Sequence, residues 1–204
     1  MNLQATNTTK KRSAALIAVS AMYAALLVGG KEALAALPNI EVVTLFTAIC
    51  AYCWGLAVVL PAVNVFIVVD MAIWGVNTWI ISYFIHWNVV ALCFWALGKV
   101  NFRKNWQKVA LTTAFAVVLT TLFGVLTTAV DTLVGYTGEG FFVDFDNVLA
   151  RFAALYATGV PFFITQIVCN LALFVTAFLP LERLNDKAKL RILPQSEPTS
   201  ERKE

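Results

Sequence analysis

Two aspartates in long apolar stretches are the first residues of this chain whose chemistry attracts attention. Asp70 lies within the apolar run from Pro61 to Val76, and Asp131 lies near the end of the run from Val109 to Val134. If these runs cross a membrane, a carboxylate inside them is costly unless it faces a polar cavity or a partner, so each is a candidate site. Two simpler alternatives stay open: Asp70 as a hydrogen-bonded contact between helices, and Asp131 as an interfacial group that reaches water.

An aromatic helical face is the second candidate. In the segment TWIISYFIHWNVVALCFWALG, Trp79, Tyr83 and either His86 or Trp87 recur at steps of three and four, so they share one face of a helix. Such a face can stack a flat ligand or pack the interior, and Trp79 can also anchor the chain at a membrane interface. The chain has 1 histidine, and metal sites usually need several ligands, so we expect no metal.

Other signatures of chemistry are missing from the sequence. There is no GxxxxGK[ST] loop and no HExxH motif. The 4 cysteines all fall in apolar segments without a neighbouring histidine, and we interpret them as core residues: Cys50, Cys53, Cys93 and Cys169. We therefore expect no catalytic residue and no cofactor.

The composition places these residues in a membrane protein. The chain has 204 residues, of which 60% are hydrophobic and 13% charged, and its mean hydropathy is +0.76. These values are too apolar for a soluble domain of this size. The net charge of +3 is small, which gives no reason to expect a nucleic-acid partner.

The apolar runs predict an all-α membrane protein with six transmembrane helices. A span needs about 20 apolar residues. The six runs are Ser13 to Gly30, Val42 to Leu60, Pro61 to Val76, Thr78 to Leu97, Val109 to Val134 and Thr158 to Leu179. Pro61 suits the first turn of the third helix. We expect the last helix to start after a break near Gly159 and Pro161, because an unbroken helix from Asn147 to Pro180 would be about 50 Å long.

Basic residues predict the orientation. They form three clusters: Lys10, Lys11 and Arg12; Lys99, Arg103, Lys104 and Lys108; Arg183, Lys187, Lys189 and Arg191. An even number of spans puts all three on one side, and the excess of Lys and Arg marks that side as cytoplasmic. Residues 1–12 then form a cytoplasmic segment, 13–182 the membrane domain, and 183–204 a polar cytoplasmic tail without a fold of its own.

The first run has two further interpretations. A basic start, an apolar run and the sequence ALA at Ala33 to Ala35 also fit a cleavable signal peptide, although Lys31 and Glu32 intrude before that site. Four alanines spaced by four, three and four residues allow close helix approach in lipid: Ala14, Ala18, Ala21 and Ala25. This face can pack against the protein's own helices or dock another membrane subunit.

Two motifs resemble those of a known family. LPNIEVVTLF follows the first run, and GVPFFITQIVCN lies in the last run. They are similar to the patterns LPNVEPVTL and G[IL]PF…N of the substrate-binding S components of energy-coupling factor (ECF) importers, which are vitamin-uptake systems of the prokaryotic cytoplasmic membrane. The length, the six-span layout and the alanine-rich first helix also resemble this family.

The resemblance implies both partners and a site. An S component binds a vitamin or related micronutrient outside the cell and depends on a transmembrane scaffold (T) subunit and two ATPase subunits, and its alanine face rests on the scaffold. By the same carry-over, Phe163 and Gln166 face the ligand cavity, Asp131 approaches it, and Asn39 belongs to a lid. The segment from Gly135 to Ala157 would form a larger cap.

The ligand stays open at this stage. Trp79 and Tyr83 would add stacking surface, and an aromatic cavity suits a cobalamin or another tetrapyrrole, although a smaller vitamin is equally compatible. An autonomous secondary transporter or channel would need coupling charges or an inverted repeat, neither of which is evident. A membrane enzyme would need Asp70 and Asp131 close together, whereas we expect them at different depths.

Overall fold

The computed structural model describes residues 3–137 and 139–193, and the side chains from Lys10 onward in these ranges. The elements are α1 (Leu3–Ala33), α2 (Val43–Trp54), α3 (Leu56–Trp74), α4 (Trp79–Leu97), α5 (Asn105–Leu133), β1 (Val134–Tyr136), β2 (Phe141–Val143) and α6 (Val148–Ile192). Within the described residues, five helices are long and apolar enough to cross a membrane, namely α1 and α3 to α6. The chain is therefore a predominantly helical, multi-pass membrane protein, as its composition predicts.

The boundary between the second and third predicted spans is wrong. Instead of running from Val42 to Leu60, α2 ends at Trp54 after 12 residues, and α3 begins at Leu56. Gly55 separates them with φ 83 and ψ 179, a conformation that side chains with a Cβ rarely adopt. Pro61 lies inside α3, where its ring removes one backbone hydrogen bond without ending the helix. The glycine, rather than the proline, is the stop signal.

The predicted break in the last helix is also wrong. Helix α6 continues for 45 residues, through Pro161 and Pro180, and is therefore about 68 Å long. The length limit of a span applies to the part inside the hydrocarbon, so a longer helix can extend beyond it. The predicted unstructured tail is accordingly helical as far as Ile192, whereas residues 194–204 lie outside the described residues. Similarly, α1 begins at Leu3, well before the predicted start at Ser13.

Polar contacts at one end of the bundle, called here the upper layer, join two pairs of segments. Lys31 at the end of α1 forms an ion pair with Asp70 near the end of α3. Glu41, just before α2, accepts a hydrogen bond of 2.7 Å from the Asn170 Nδ2 of α6. Helices α1 and α3 therefore end in the upper layer, whereas α2 begins there and runs in the opposite direction.

The opposite end of the bundle carries a second set of contacts, called here the lower layer. Asn185 Oδ1 of α6 accepts hydrogen bonds from Tyr23 Oη at 2.6 Å and from Trp54 Nε1, at the end of α2, at 2.7 Å. Lys108, near the start of α5, lies 2.5 Å from Glu182 of α6. Helices α2 and α6 therefore run together from the upper to the lower layer, although α2 has only 12 residues.

Helix α2 occupies the centre of the bundle. Ten of its residues are buried, and it packs against α4 and α6. Cys50 and Cys53 belong to this core, as predicted, whereas Cys93 and Cys169 are only partly buried. A short helix can fill the centre because backbone groups at its ends have side-chain partners: Glu41 accepts from Thr44 N–H at 2.8 Å, and Lys189 Nζ donates to Cys53 O at 2.7 Å.

Charge is distributed unequally between the two ends. The basic residues in the first half of α1, of the α4–α5 connection and of the end of α6 all lie towards the lower layer. The acidic residues Glu32 and Asp131 lie towards the upper layer, where they accept hydrogen bonds from Trp74 and Thr78 respectively. The two ends of the molecule are therefore chemically distinct.

Candidate ligand cavity

A cavity of about 210 Å³ lies in the upper layer beneath the connection between α1 and α2. The connection contributes seven lining residues between Leu34 and Glu41, and each of the helices α1 to α6 contributes at least one more. The lining residues are Lys31, Leu34, Ala35, Leu37, Pro38, Asn39, Ile40, Glu41, Val43, Phe66, Tyr83, Trp87, Phe123 and Gln166. The cavity is therefore built by elements that are distant in sequence and meet only in the folded chain.

The α1–α2 connection is tied down over the cavity at both of its polar residues. Asn39 has a φ of 58, in the left-handed region that asparagine tolerates better than most residues, and its Nδ2 donates to Phe162 O of α6 at 3.0 Å. Glu41 accepts hydrogen bonds from the backbone N–H of Thr44 at 2.8 Å and from Asn170. A carboxylate near the first turn of α2 is favourable because the N–H groups there lack helical partners.

Aromatic side chains form the inner wall of the cavity. Tyr83 and Trp87 of α4 stand next to each other, with ring centroids 5.9 Å apart. Phe123 of α5 lies 6.0 Å from Tyr83, and Phe66 of α3 lies 6.4 Å from it. Three helices thus supply a contiguous aromatic surface, which agrees with the aromatic face predicted for the fourth span.

Two polar atoms of lining residues are buried without a hydrogen-bond partner among the described residues. They are Gln166 Oε1 and Trp87 Nε1, and the two residues are only 4% and 3% exposed. A buried polar atom without a partner costs on the order of 1 to 3 kcal/mol, and such groups are uncommon in native structures. One is an acceptor and the other a donor, so a bound molecule with both functions can satisfy both.

The lysine of the cavity lining is already paired. Lys31 forms its ion pair with Asp70, which is 1% exposed. The Lys31 Nζ also lies 5.1 Å from the Tyr83 ring centroid and 5.3 Å from that of Trp79, within the range of cation–π attraction. Of the two interpretations of Asp70, the structure shows the contact between helices.

Three predicted site residues lie outside the cavity lining. Trp79 packs edge-on against Tyr83, with centroids 4.9 Å apart, and so supports the aromatic wall from behind. Phe163 faces α5 instead, where Gly124 leaves room for its ring. Asp131 is exposed and its Oδ1 accepts a hydrogen bond of 2.6 Å from Thr78 Oγ1, as expected for an interfacial carboxylate. Asp70 and Asp131 therefore have different partners.

The segment predicted as the larger cap contains a β-hairpin, and its described residues do not contribute to the cavity lining. Strands β1 and β2 pair antiparallel with Val134 opposite Val143, and β2 is exposed. Arg151 near the start of α6 forms an ion pair with Asp144 beyond the hairpin. Among the described residues of this segment, none lines the cavity.

Sequence reasoning missed several lining residues. Lys31 was considered only as a residue that argues against a signal peptide, and Glu41 only as part of the LPNIEVVTLF motif, although each is a charged residue beside an apolar run. Phe66 and Phe123 carry no sequence signal that separates them from ordinary core residues. Their role arises from the packing of α3 and α5 against α4.

The alanine face of α1 is solvent- or lipid-accessible in the isolated chain. Ala14, Ala18, Ala21 and Ala25 are all exposed, so the alternative of internal packing is wrong. Ala21 and Ala25 form one wall of an apolar groove of about 830 Å³ between α1 and α3, whose other wall includes Pro61 and Val65. No protein-family model, curated protein or solved structure matches this chain.

Proposed function

We propose that this protein is the substrate-binding S component of an ECF-type importer and captures a vitamin-like micronutrient outside the cell. The observation that carries the proposal is the cavity in the upper layer, where buried Gln166 and Trp87 retain unused hydrogen-bonding atoms. The motifs that resemble the family contribute to this cavity directly: LPNIE supplies Leu37 to Glu41, and GVPFFITQIVCN supplies Gln166.

The membrane topology follows from the same proposal. The upper layer is extracytoplasmic and the basic lower layer is cytoplasmic, since the excess of Lys and Arg marks the inner side. The chain then crosses the prokaryotic cytoplasmic membrane six times, with α2 as a short crossing, and both termini are inside. Reporter fusions at residue 204 and at residue 140 should give opposite locations. Signals from the same side would overturn the six-span topology.

Small side chains on α1 serve as the docking face for the scaffold subunit. Close approach of two helices in lipid depends on small residues, and the four alanines leave α1 open to a partner helix. The chain has no nucleotide-binding loop, so two ATPase subunits acting through the scaffold supply the energy of uptake. This division of labour is what the resemblance implies.

Leucine substitutions test the docking face. Ala18→Leu and Ala21→Leu should weaken co-purification with the scaffold subunit, while ligand binding by the isolated protein stays intact. Ala172→Leu is the matched control, because Ala172 is exposed on α6, away from the alanine face. Loss of ligand binding with intact assembly, or an equal loss of assembly in the control, would contradict the assignment.

The cavity volume limits the size of the ligand. Sites for drug-sized molecules usually measure about 300 to 1,000 Å³, and this cavity of about 210 Å³ is smaller. A small vitamin or vitamin precursor therefore suits it better than a cobalamin or another tetrapyrrole.

Reconstituted uptake tests the function as a whole. Vesicles that contain this chain together with an ECF scaffold subunit and its ATPase pair should accumulate a small vitamin only when ATP is present on the side of the membrane that carries the ATPase subunits. Vesicles without the scaffold should bind the compound but not accumulate it. Accumulation by this chain alone would instead identify an autonomous transporter.

A further inference from the structure

We infer that the ligand of the upper cavity is a single-ring heteroaromatic compound that carries no negative charge and has both a hydrogen-bond donor and an acceptor. This refines the proposed function and rests on it for the direction of transport, whereas the binding chemistry follows from the cavity alone. The inference combines the size of the cavity, its aromatic wall, the buried polar atoms without a partner and the charges of the lining residues.

The wall of the cavity favours a flat ring. One side of the cavity is lined by Tyr83 and by three further aromatic rings whose centroids lie 5.9 to 6.4 Å from that of Tyr83. These rings belong to Phe66, Trp87 and Phe123. Aromatic rings attract other rings through stacked and edge-on contacts, and a flat ligand makes more of these contacts than an aliphatic one of equal volume. A volume of about 210 Å³ limits the ligand to a small ring system.

The unused polar atoms specify the functional groups. Gln166 Oε1 needs a donor and Trp87 Nε1 needs an acceptor, and both atoms belong to residues that line the same cavity. Indole N–H is a donor only, so the acceptor requirement at Trp87 is fixed by chemistry. A heteroaromatic carboxamide or lactam carries a donor and an acceptor without a negative charge, so its groups complement those of the two residues.

The charges of the lining argue against an anionic ligand. The Lys31 ammonium is held by Asp70 and lies over the rings of Tyr83 and Trp79, so it is not free to neutralise an anion. Glu41 accepts hydrogen bonds from the neutral donors of Thr44 and Asn170, so its negative charge is not cancelled and repels an anion. An anionic ligand would have to break the Lys31–Asp70 pair or be buried without a counter-charge, and either is costly.

Matched pairs of compounds test this inference on the unmodified protein. Nicotinamide and nicotinate share one ring and differ in charge at neutral pH, as do picolinamide and picolinate. Calorimetric titration of the full chain in lipid nanodiscs should show that each amide binds at least about tenfold more tightly than its carboxylate. Equal or tighter binding of the carboxylates, or no binding of either amide, overturns the inference.

Variants then locate the binding atoms. Gln166→Ala and Trp87→Phe should each lower the affinity for the bound amide by about tenfold, as expected for one lost hydrogen bond. Gln107→Ala and Trp106→Phe are matched controls in the lower half of the molecule, where they line a different pocket. Equal affinities in all four variants would place the amide elsewhere and overturn the site.

Separate outcomes distinguish this inference from the proposed function. If the amides bind but no scaffold subunit co-purifies and no uptake occurs, the chemistry of the site stands and the importer assignment fails. If ATP-dependent uptake occurs but only for an anionic vitamin, the importer assignment stands and the inference about the ligand fails.

Discussion

The upper and lower layers of the bundle contain similar residues, but their buried amide groups differ in whether they have hydrogen-bond partners. In the lower layer, Asn185 uses its oxygen to accept from Tyr23 and Trp54, and its Nδ2 donates to Leu181 O at 2.9 Å. In the upper layer, Gln166 also lies buried on α6, yet its oxygen has no partner among the described residues. In the lower layer the amide of α6 is hydrogen-bonded to a tryptophan of another helix, whereas in the upper layer Gln166 and Trp87 line the same cavity.

This difference separates a structural contact from a binding site. An amide whose hydrogen bonds are all made inside the chain fixes the positions of the helices and has nothing left for a ligand. An amide that is buried without a partner lowers stability, and its cost can be recovered when a ligand arrives. The lower layer is therefore expected to hold the fold, and the upper layer to bind.

The largest effect is expected for Asn185→Ala in the lower layer. The change leaves the buried donors of Tyr23 and Trp54 without an acceptor, at about 1 to 3 kcal/mol each. The free energy of unfolding should fall by about 2 to 6 kcal/mol, measured by denaturant titration in detergent micelles. Asn185→Asp keeps the acceptor and should lose clearly less; an equal loss would mean that the two hydrogen bonds are not the cause.

A smaller loss of stability is expected for Lys31→Met. This change leaves the buried Asp70 carboxylate without its cation, which costs about 3 kcal/mol, at the lower end of the range for buried pairs because the Lys31 side chain is 23% exposed. The double variant Lys31→Met/Asp70→Leu should recover most of that loss, because no buried charge remains. If the double variant is no more stable than the single one, the ion pair is not the source.

Little or no loss of stability is expected for Gln166→Leu, in contrast to Asn185→Ala. The replaced oxygen makes no hydrogen bond, so the ligand-free protein should change by less than about 1 kcal/mol or become slightly more stable. Ligand-induced thermal stabilisation should disappear in the same variant. A large loss of stability without ligand would place Gln166 among the structural contacts and remove the difference between the layers.

The smallest effect is expected for Asp131→Ala. Asp131 lies in the upper half but is exposed. Within the described residues, its side chain accepts a hydrogen bond from Thr78. Both the stability, within about 0.5 kcal/mol, and the affinity for ligand should remain unchanged, as for most surface substitutions. A tenfold weaker affinity would restore Asp131 to the binding site that the sequence suggested for it.

Part of the site was predictable because it depends on local pattern. The spacing of Trp79 and Tyr83 on one helical face and the polar residues of LPNIE are visible in the sequence, and Asn39 and Gln166 were singled out before the fold was known. Phe163 was misplaced because its direction depends on the space left by Gly124 on another helix. Lys31 was overlooked because its partner, Asp70, is 39 residues away.

The sequence by itself determined that this chain is a helical membrane protein with one basic end, because hydropathy and the positions of Lys and Arg are properties of short segments. Tertiary structure decided which polar residues are satisfied and which remain open. Asn185 and Gln166 lie in the same helix and have the same chemical group, and they differ only in which side chains of other helices reach them. Partners from distant segments become neighbours only when the helices pack, and no local pattern records that distance.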